Sequence, residues 1–220
     1  MLTAIKLTYT LFRKELLLEW RQRYAIGSIV LYVVSTVFIV YASFQNIKAP
    51  AWNALFWIIQ LFAAVNAVAK SFVQESGKRQ LYYYSLAHPL HLIAAKVVYN
   101  TLLLFLLAVL AFATMTVFVS NPVVEPAIFW GAVALGSLGF AAAFTFVSAI
   151  ATKTGNSGTM MAILSFPVII PLLLSLLKVS TAAIGLTQDT ALYKDFLILG
   201  SIDAILLALI YLLFPFLWRD

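Results

Sequence analysis

Residues 127–151 read AIFWGAVALGSLGFAAAFTFVSAIA, twenty-five positions without a charge. As an α-helix this stretch is about 37 Å long, more than the ~30 Å hydrocarbon core of a bilayer. A helix at a water surface needs a polar face, and this one has none. Its small residues include two pairs four apart, Ala132 with Gly136 and Gly139 with Ala143. Such pairs let neighbouring backbones approach closely, so the segment reads as a membrane helix central to a bundle or a subunit interface.

Five further apolar runs lie outward from it, at 24–44, 51–72, 97–119, 159–177 and 196–217. Each suits a helix of ~20 residues, the length that crosses a membrane. The connections are short and polar, so residues 1–220 are expected to form a single transmembrane domain. Composition agrees: 64% of the residues are hydrophobic and 10% charged, against the roughly 25% charged of a soluble domain. The net charge of +6 is not a nucleic-acid signal, because the basic residues flank apolar runs, where topology and lipid headgroups place them. Cysteine is absent, which excludes disulfides, thiolate metal sites and cysteine nucleophiles.

Six spans with a cytoplasmic amino terminus put Lys6, Arg13, Lys14, Arg21, Arg23, Lys70, Lys78, Arg79, Lys96, Lys153 and Arg219 inside. Lys48, Lys178 and Lys194 then lie outside. This excess of inner cations follows the positive-inside rule and predicts both termini in the cytoplasm. Val40-Tyr41-Ala42 resembles a signal-peptide cleavage site, but the apolar run is longer than a usual signal core, so an uncleaved first helix is expected.

Before that helix, Ile5, Tyr9, Phe12, Leu16 and Trp20 recur at helical spacing, with Lys6, Arg13, Lys14 and Arg21 mostly off that stripe. Residues 1–23 therefore read as an amphipathic elbow helix in the inner headgroup layer. The longest cytoplasmic connection, 71–96, carries Phe72, Glu75, Lys78, Arg79, the run Tyr82-Tyr83-Tyr84, and then His88-Pro89. Proline is favoured at a first helical position. With Leu90, Ile93, Ala94 and Val97 at helical spacing, Pro89 predicts a short amphipathic helix along the membrane surface, leading to the third span. The exposed aromatics suit either docking of a cytoplasmic protein or anchorage in the interface. His88 and His91 lack a third ligand and a nearby carboxylate, which argues against a metal or haem site.

These residues resemble the permease of the cytochrome c maturation exporter, the CcmB type. The resemblance rests on Phe72-x-x-Glu75, Lys78-Arg79, Ser85 with Pro89, and Lys96. It continues through Leu135-Gly136-Ser137-Leu138-Gly139, Ala141-Ala142-Ala143, Lys153 and the Ser165–Pro171 segment with Pro167 and Pro171. The single lysine in the connection between the fourth and fifth spans and the tyrosine run depart from the family's pattern. The resemblance implies an all-α permease of the ABC-2 type in a bacterial inner membrane, with the elbow and a cytoplasmic coupling helix engaging an ATPase. The implied partners are that ATPase, a haem-handling membrane subunit and a second copy of the chain. Phe72, Glu75, Lys78, Arg79, Tyr82, Tyr83, Tyr84, Pro89 and Lys96 would form the coupling surface. A permease for another lipid or glycan, and a scaffold that moves no substrate, are the alternatives.

No phosphate-binding loop is present: Gly155-Asn156-Ser157-Gly158-Thr159 lacks its lysine. ATP is therefore expected on a partner, and no cofactor on this chain, although the complex handles haem by resemblance. Met115 reads as packing. Within the spans, Asp203 is a functional candidate by default, expected to sit near the outer interface and reach water. Gln60 and Asn66 are expected to bond neighbouring helices, and Pro167 and Pro171 to kink the fifth span.

Overall fold

The computed structural model describes residues 10–14, 17, 23–44, 46–68, 89–151, 157–186 and 192–219. Six helices organise them: α1 (Arg23–Ser43), α2 (Ala49–Val68), α3 (Pro89–Phe118), α4 (Pro126–Ala151), α5 (Ser157–Ala183) and α6 (Leu192–Arg219). No strand occurs among the described residues. Five of the helices, α2 to α6, are long and apolar enough to cross a membrane, while α1 carries a shorter apolar stretch, Gly27–Ser43.

Contacts at the helix ends fix an alternating up-and-down arrangement. Phe118, at the end of α3, packs edge-on against Phe38 of α1 with centroids 6.3 Å apart. The N–H groups of Val124 and Glu125, just before α4, donate to Ala183 O at the end of α5, at 3.0 and 2.9 Å. Lys178 of α5 meets Asp195 at the start of α6. The same end therefore holds the finish of α1, α3 and α5 and the start of α2, α4 and α6.

The uncharged helix α4 is central, touching α2, α3, α5 and α6. Its Ala141, Ala142 and Ala143 are all buried, so small side chains there admit neighbours on several sides. Near its start an aromatic cluster joins three helices. Trp52 and Phe56 of α2 stack at 5.7 Å, Phe56 lies 5.1 Å from Phe129 of α4, and Phe112 of α3 lies 5.3 Å from Phe129. The outer faces are apolar too, with Leu31, Ile163, Phe166, Leu174, Ile205, Leu212 and Phe216 exposed. Apolar residues both inside and outside are what a lipid-solvated bundle requires, and they account for the low charge.

Three expectations are corrected here. The surface helix expected at Pro89 is not separate from the third span, since α3 runs unbroken through Lys96 for 30 residues. Leu92, Ile93, Ala95 and Lys96 are already buried, so its first turns belong to the bundle. A coupling helix distinct from α3 would have to lie within 69–88, outside the described residues. The fifth span does not stop at 177. Helix α5 runs on to Ala183 because Lys178 is paired, and it ends where Gly185 adopts φ +71°. Leu186 N donates to Thr181 O and Gly185 N to Ala182 O, the Schellman closure that favours glycine at this conformation. The sixth helix likewise begins at Leu192, before the expected 196. Of the elbow segment, residues 10–14 are helical. Leu11 is buried, and Phe12 packs edge-on against Tyr99 of α3 at 6.3 Å.

Candidate functional site

Polar side chains inside an apolar bundle must find partners, because no water is present to serve them. Helix α2 carries three at helical spacing, Asn53, Trp57 and Gln60, all buried. Trp57 Nε1 donates to Ser180 Oγ of α5 at 2.8 Å. Gln60 Nε2 donates to Leu104 O of α3 at 2.8 Å, and Asn53 Nδ2 reaches Leu177 O of α5 at 3.4 Å. Asn100 Nδ2 of α3 donates to Thr145 Oγ1 of α4 at 2.8 Å. These bonds staple α2 to α3 and α5, and α3 to α4. Asn66 does not join them: it is exposed and donates back to Phe62 O of its own helix at 2.9 Å. Its Nδ2 bond closes within one turn and leaves neighbouring helices untouched.

Asp203 lies where the sequence reading did not put it. It is 3% exposed, so it does not reach water at the interface. Helix α6 starts at Leu192, which places Asp203 about 16 Å along it. Neither carboxyl oxygen has a hydrogen-bond partner. Gly139 of α4 faces it, and a Cβ there would collide with Asp203 Oδ1 and come within 2.8 Å of Leu172 Cδ1 of α5. The glycine makes the room that the carboxyl occupies. Gly136, one turn earlier, plays the same part elsewhere: a Cβ would lie 2.9 Å from both Leu176 Cδ2 and Trp57 Cζ3. Thus Gly136 and Gly139 let α4 meet α2, α5 and α6 at close range. Pro167 and Pro171 stand on the exposed side of α5.

The remaining candidates concern the opposite end, where α3 begins and α4 finishes. Pro89 opens α3, which suits proline since the first N–H has no intrahelical acceptor to lose. Lys96 follows two turns later and is 1% exposed, so its ammonium is enclosed by the bundle instead of presented to a partner. Phe72, Glu75, Lys78, Arg79, Tyr82, Tyr83 and Tyr84 lie outside the described residues. Among the described residues no three His, Cys, Asp or Glu side chains gather as a metal site would require.

The sequence reading missed Trp57–Ser180, Asn100–Thr145 and Lys178–Asp195. The spacing of Asn53, Trp57 and Gln60 on one helical face was available as a signal for the first. All three pair residues of different helices, so the partner in each case leaves no local pattern.

A protein-family profile described as "CcmB protein" matches residues 6–216 of the chain. No curated protein and no solved structure matches significantly.

Proposed function

The chain belongs to the CcmB protein family, and on that premise we propose that it is the membrane permease subunit of an ABC complex serving cytochrome c maturation. The observation that carries this reading is the family match over 6–216. It covers α1 to α5, α6 as far as residue 216, and the 69–88 segment together. The multi-pass apolar bundle supports it, since a permease needs its mass within the membrane. The lack of a phosphate-binding loop supports a separate ATPase, so this chain is a transmitter and not an enzyme.

In this reading α1 serves as a sixth span, both termini face the cytoplasm of a bacterial inner membrane, and residues 1–23 act as the elbow. The basic residues at the open end of the α3–α4 pair supply the orientation. A second copy completes the transporter, and a haem-handling membrane subunit joins it. Hydrolysis by the ATPase moves the 69–88 segment, and the bundle carries that motion to the outer face, where haem-loaded chaperone is released. The residues suit a mechanical role, because buried polar side chains staple α2 to α3 and α5, and α3 to α4.

The test is co-purification of the tagged chain from gently solubilised membranes. The wild-type chain is expected to bring an ATPase and a haem-handling membrane protein with it. Glu75→Ala, or deletion of Tyr82 to Tyr84, is expected to lose the ATPase while insertion stays normal. A wild-type chain that brings no ATPase would end the permease reading. Retention of the ATPase by both variants would move the docking surface away from 69–88.

A further inference from the structure

Along the buried stripe of α6, Asp195, Leu199 and Asp203 follow one another a turn apart. The two acids meet opposite surroundings. Asp195 is held by Lys178 at 2.7 Å, and that lysine is 58% exposed, so this end of the stripe reaches water. Leu199 is fully buried, and beyond it neither oxygen of Asp203 has a hydrogen-bond partner. Asn53 and Gln60, buried in the same interior, each keep one bond; Asp203 keeps none. A Cβ on Gly139 would collide with Asp203 Oδ1, so the carboxyl lies directly against α4, with no room on that side for hydration.

Among the described residues, no nearby cation offsets a charge there. Helices α3, α4 and α5 pack against α6. Helix α4, which supplies Gly139, has no titratable side chain. Helix α5, which supplies Leu172, has only Lys178, about 9 Å further along the axis and paired with Asp195. The titratable residues of α3 are His91, Lys96 and Tyr99. All precede Asn100, whose partner Thr145 is itself about 9 Å along α4 from Gly139. On α6 the nearest are Asp195 and Tyr211, each about 12 Å away along the axis. An ionised carboxylate without donors is too costly for such an interior and takes up a proton instead.

We propose that Asp203 is a proton-binding site of the bundle, keeping its proton while α6 lies on Gly139 and releasing it to water when α6 parts from α4. In the release the carboxyl O–H bond breaks, the proton passes to a water molecule, and the carboxylate left behind is hydrated. The water enters from the Asp195 end, about 16 Å along α6 from its start, against about 24 Å from its finish. Because neither oxygen has a partner in the closed packing, even the neutral acid gains a hydrogen bond when water arrives, which poises the α4–α6 seam to open. The closed seam holds one proton more than the open one, so it is favoured at low pH and lost as pH rises. None of this depends on an ATPase.

Two readouts on the purified full chain in lipid nanodiscs test the proposal. The first is infrared absorption by the C=O of a protonated carboxyl, taken as the difference between wild type and Asp203→Asn. The second uses Ala132→Cys, the only thiol in a chain without cysteine. Ala132 is fully buried about two turns before Gly139 on the same face of α4, and its labelling by a water-soluble thiol reagent reports opening. Labelling rates are taken relative to Asp203→Asn in the same background at the same pH, which removes the thiol's own titration. A protonated-carboxyl band is expected at neutral pH in wild type and not in Asp203→Asn. As pH rises the band is expected to fade while relative labelling climbs by about tenfold per pH unit, the slope for one proton. No difference band at neutral pH would overturn the site. A band that persists while labelling tracks Asp203→Asn throughout would make Asp203 a fixed structural acid and overturn the release. A band that fades with labelling unchanged would overturn the coupling to α6. Where Asp203→Asn fails to accumulate, Asp203→Ala takes its place in both readouts, with the same outcomes deciding. A wild-type chain that brings no ATPase counts against the proposed function and leaves both readouts standing.

Discussion

Gly139 and Asp203 show how much one missing carbon decides. The carboxyl of Asp203 is buried with both oxygens unpartnered, and Gly139 is the residue whose lack of a side chain leaves space for it. Gly139→Ala puts a methyl group against Asp203 Oδ1 and Leu172, and is expected to cost about 1–3 kcal/mol of stability, as overpacked cores do. In an Asp203→Ala background the larger obstacle is gone and only Leu172 must give. The second methyl is then expected to cost less than half as much, a coupling that a double-mutant cycle reads directly. Thermal unfolding of the four variants in detergent provides the measurement, and strictly additive losses would refute the contact. The sequence displays Asp203 as a charge in an apolar run, but not its burial. Lys194 and Asp195 suggest a late start for the helix and hence a shallow aspartate, whereas Asp195 is satisfied by Lys178 and the helix begins before both.

At the scale of the helices, apolar runs were enough to find each element, because lipid imposes a length and a composition that water does not. Their ends were less legible wherever a charged residue sits inside a helix. Lys96 and Lys178 each marked a boundary in the reading, and each proves to be internal. The Lys178–Asp195 pair has a further consequence for how α5 and α6 are joined. Its N–O distance is 2.7 Å, with side-chain exposures of 58% and 6%. Removing the lysine strands a buried carboxylate, whereas removing the aspartate leaves an ammonium that water can solvate. Lys178→Met is therefore expected to destabilise on the order of 1–3 kcal/mol, the cost of an unsatisfied buried polar group. Asp195→Leu is expected to cost under ~1 kcal/mol, close to the worth of an exposed ion pair. Limited proteolysis in the α5–α6 connection and thermal unfolding should both rank the variants in that order. Equal effects, or the reverse order, would show that the two helices are held together by packing alone.

At the scale of the whole molecule, the question is whether the bundle carries haem or only force. Tight haem binding uses an axial histidine, cysteine, methionine or tyrosine set in a pocket that controls access to the iron. Cysteine is absent. His91 lies in the first turn of α3 and His88 falls just before it, outside the described residues. His91 stands at the end that faces the cytoplasm in the proposed topology. Met115 is fully buried in the hydrophobic core. Tyr32 is partly buried against the same core. Trp57, Gln60 and Asn100 each donate a bond that staples one helix to another. A bundle stapled in this way is suited to moving as linked rods, with α4 at the centre and α3 as the rod that follows the 69–88 segment. The isolated chain is therefore expected to purify without stoichiometric haem, and joint replacement of His88 and His91 by alanine to spare any haem carried by the assembled complex. Absorbance spectra of chain and complex, with and without the two histidines, decide the matter. A strong Soret band on the isolated chain that disappears with those histidines would make this the haem-carrying subunit and put the ligand at the start of α3. A complex that keeps its haem without them would leave this chain the part that moves while another subunit holds the cargo.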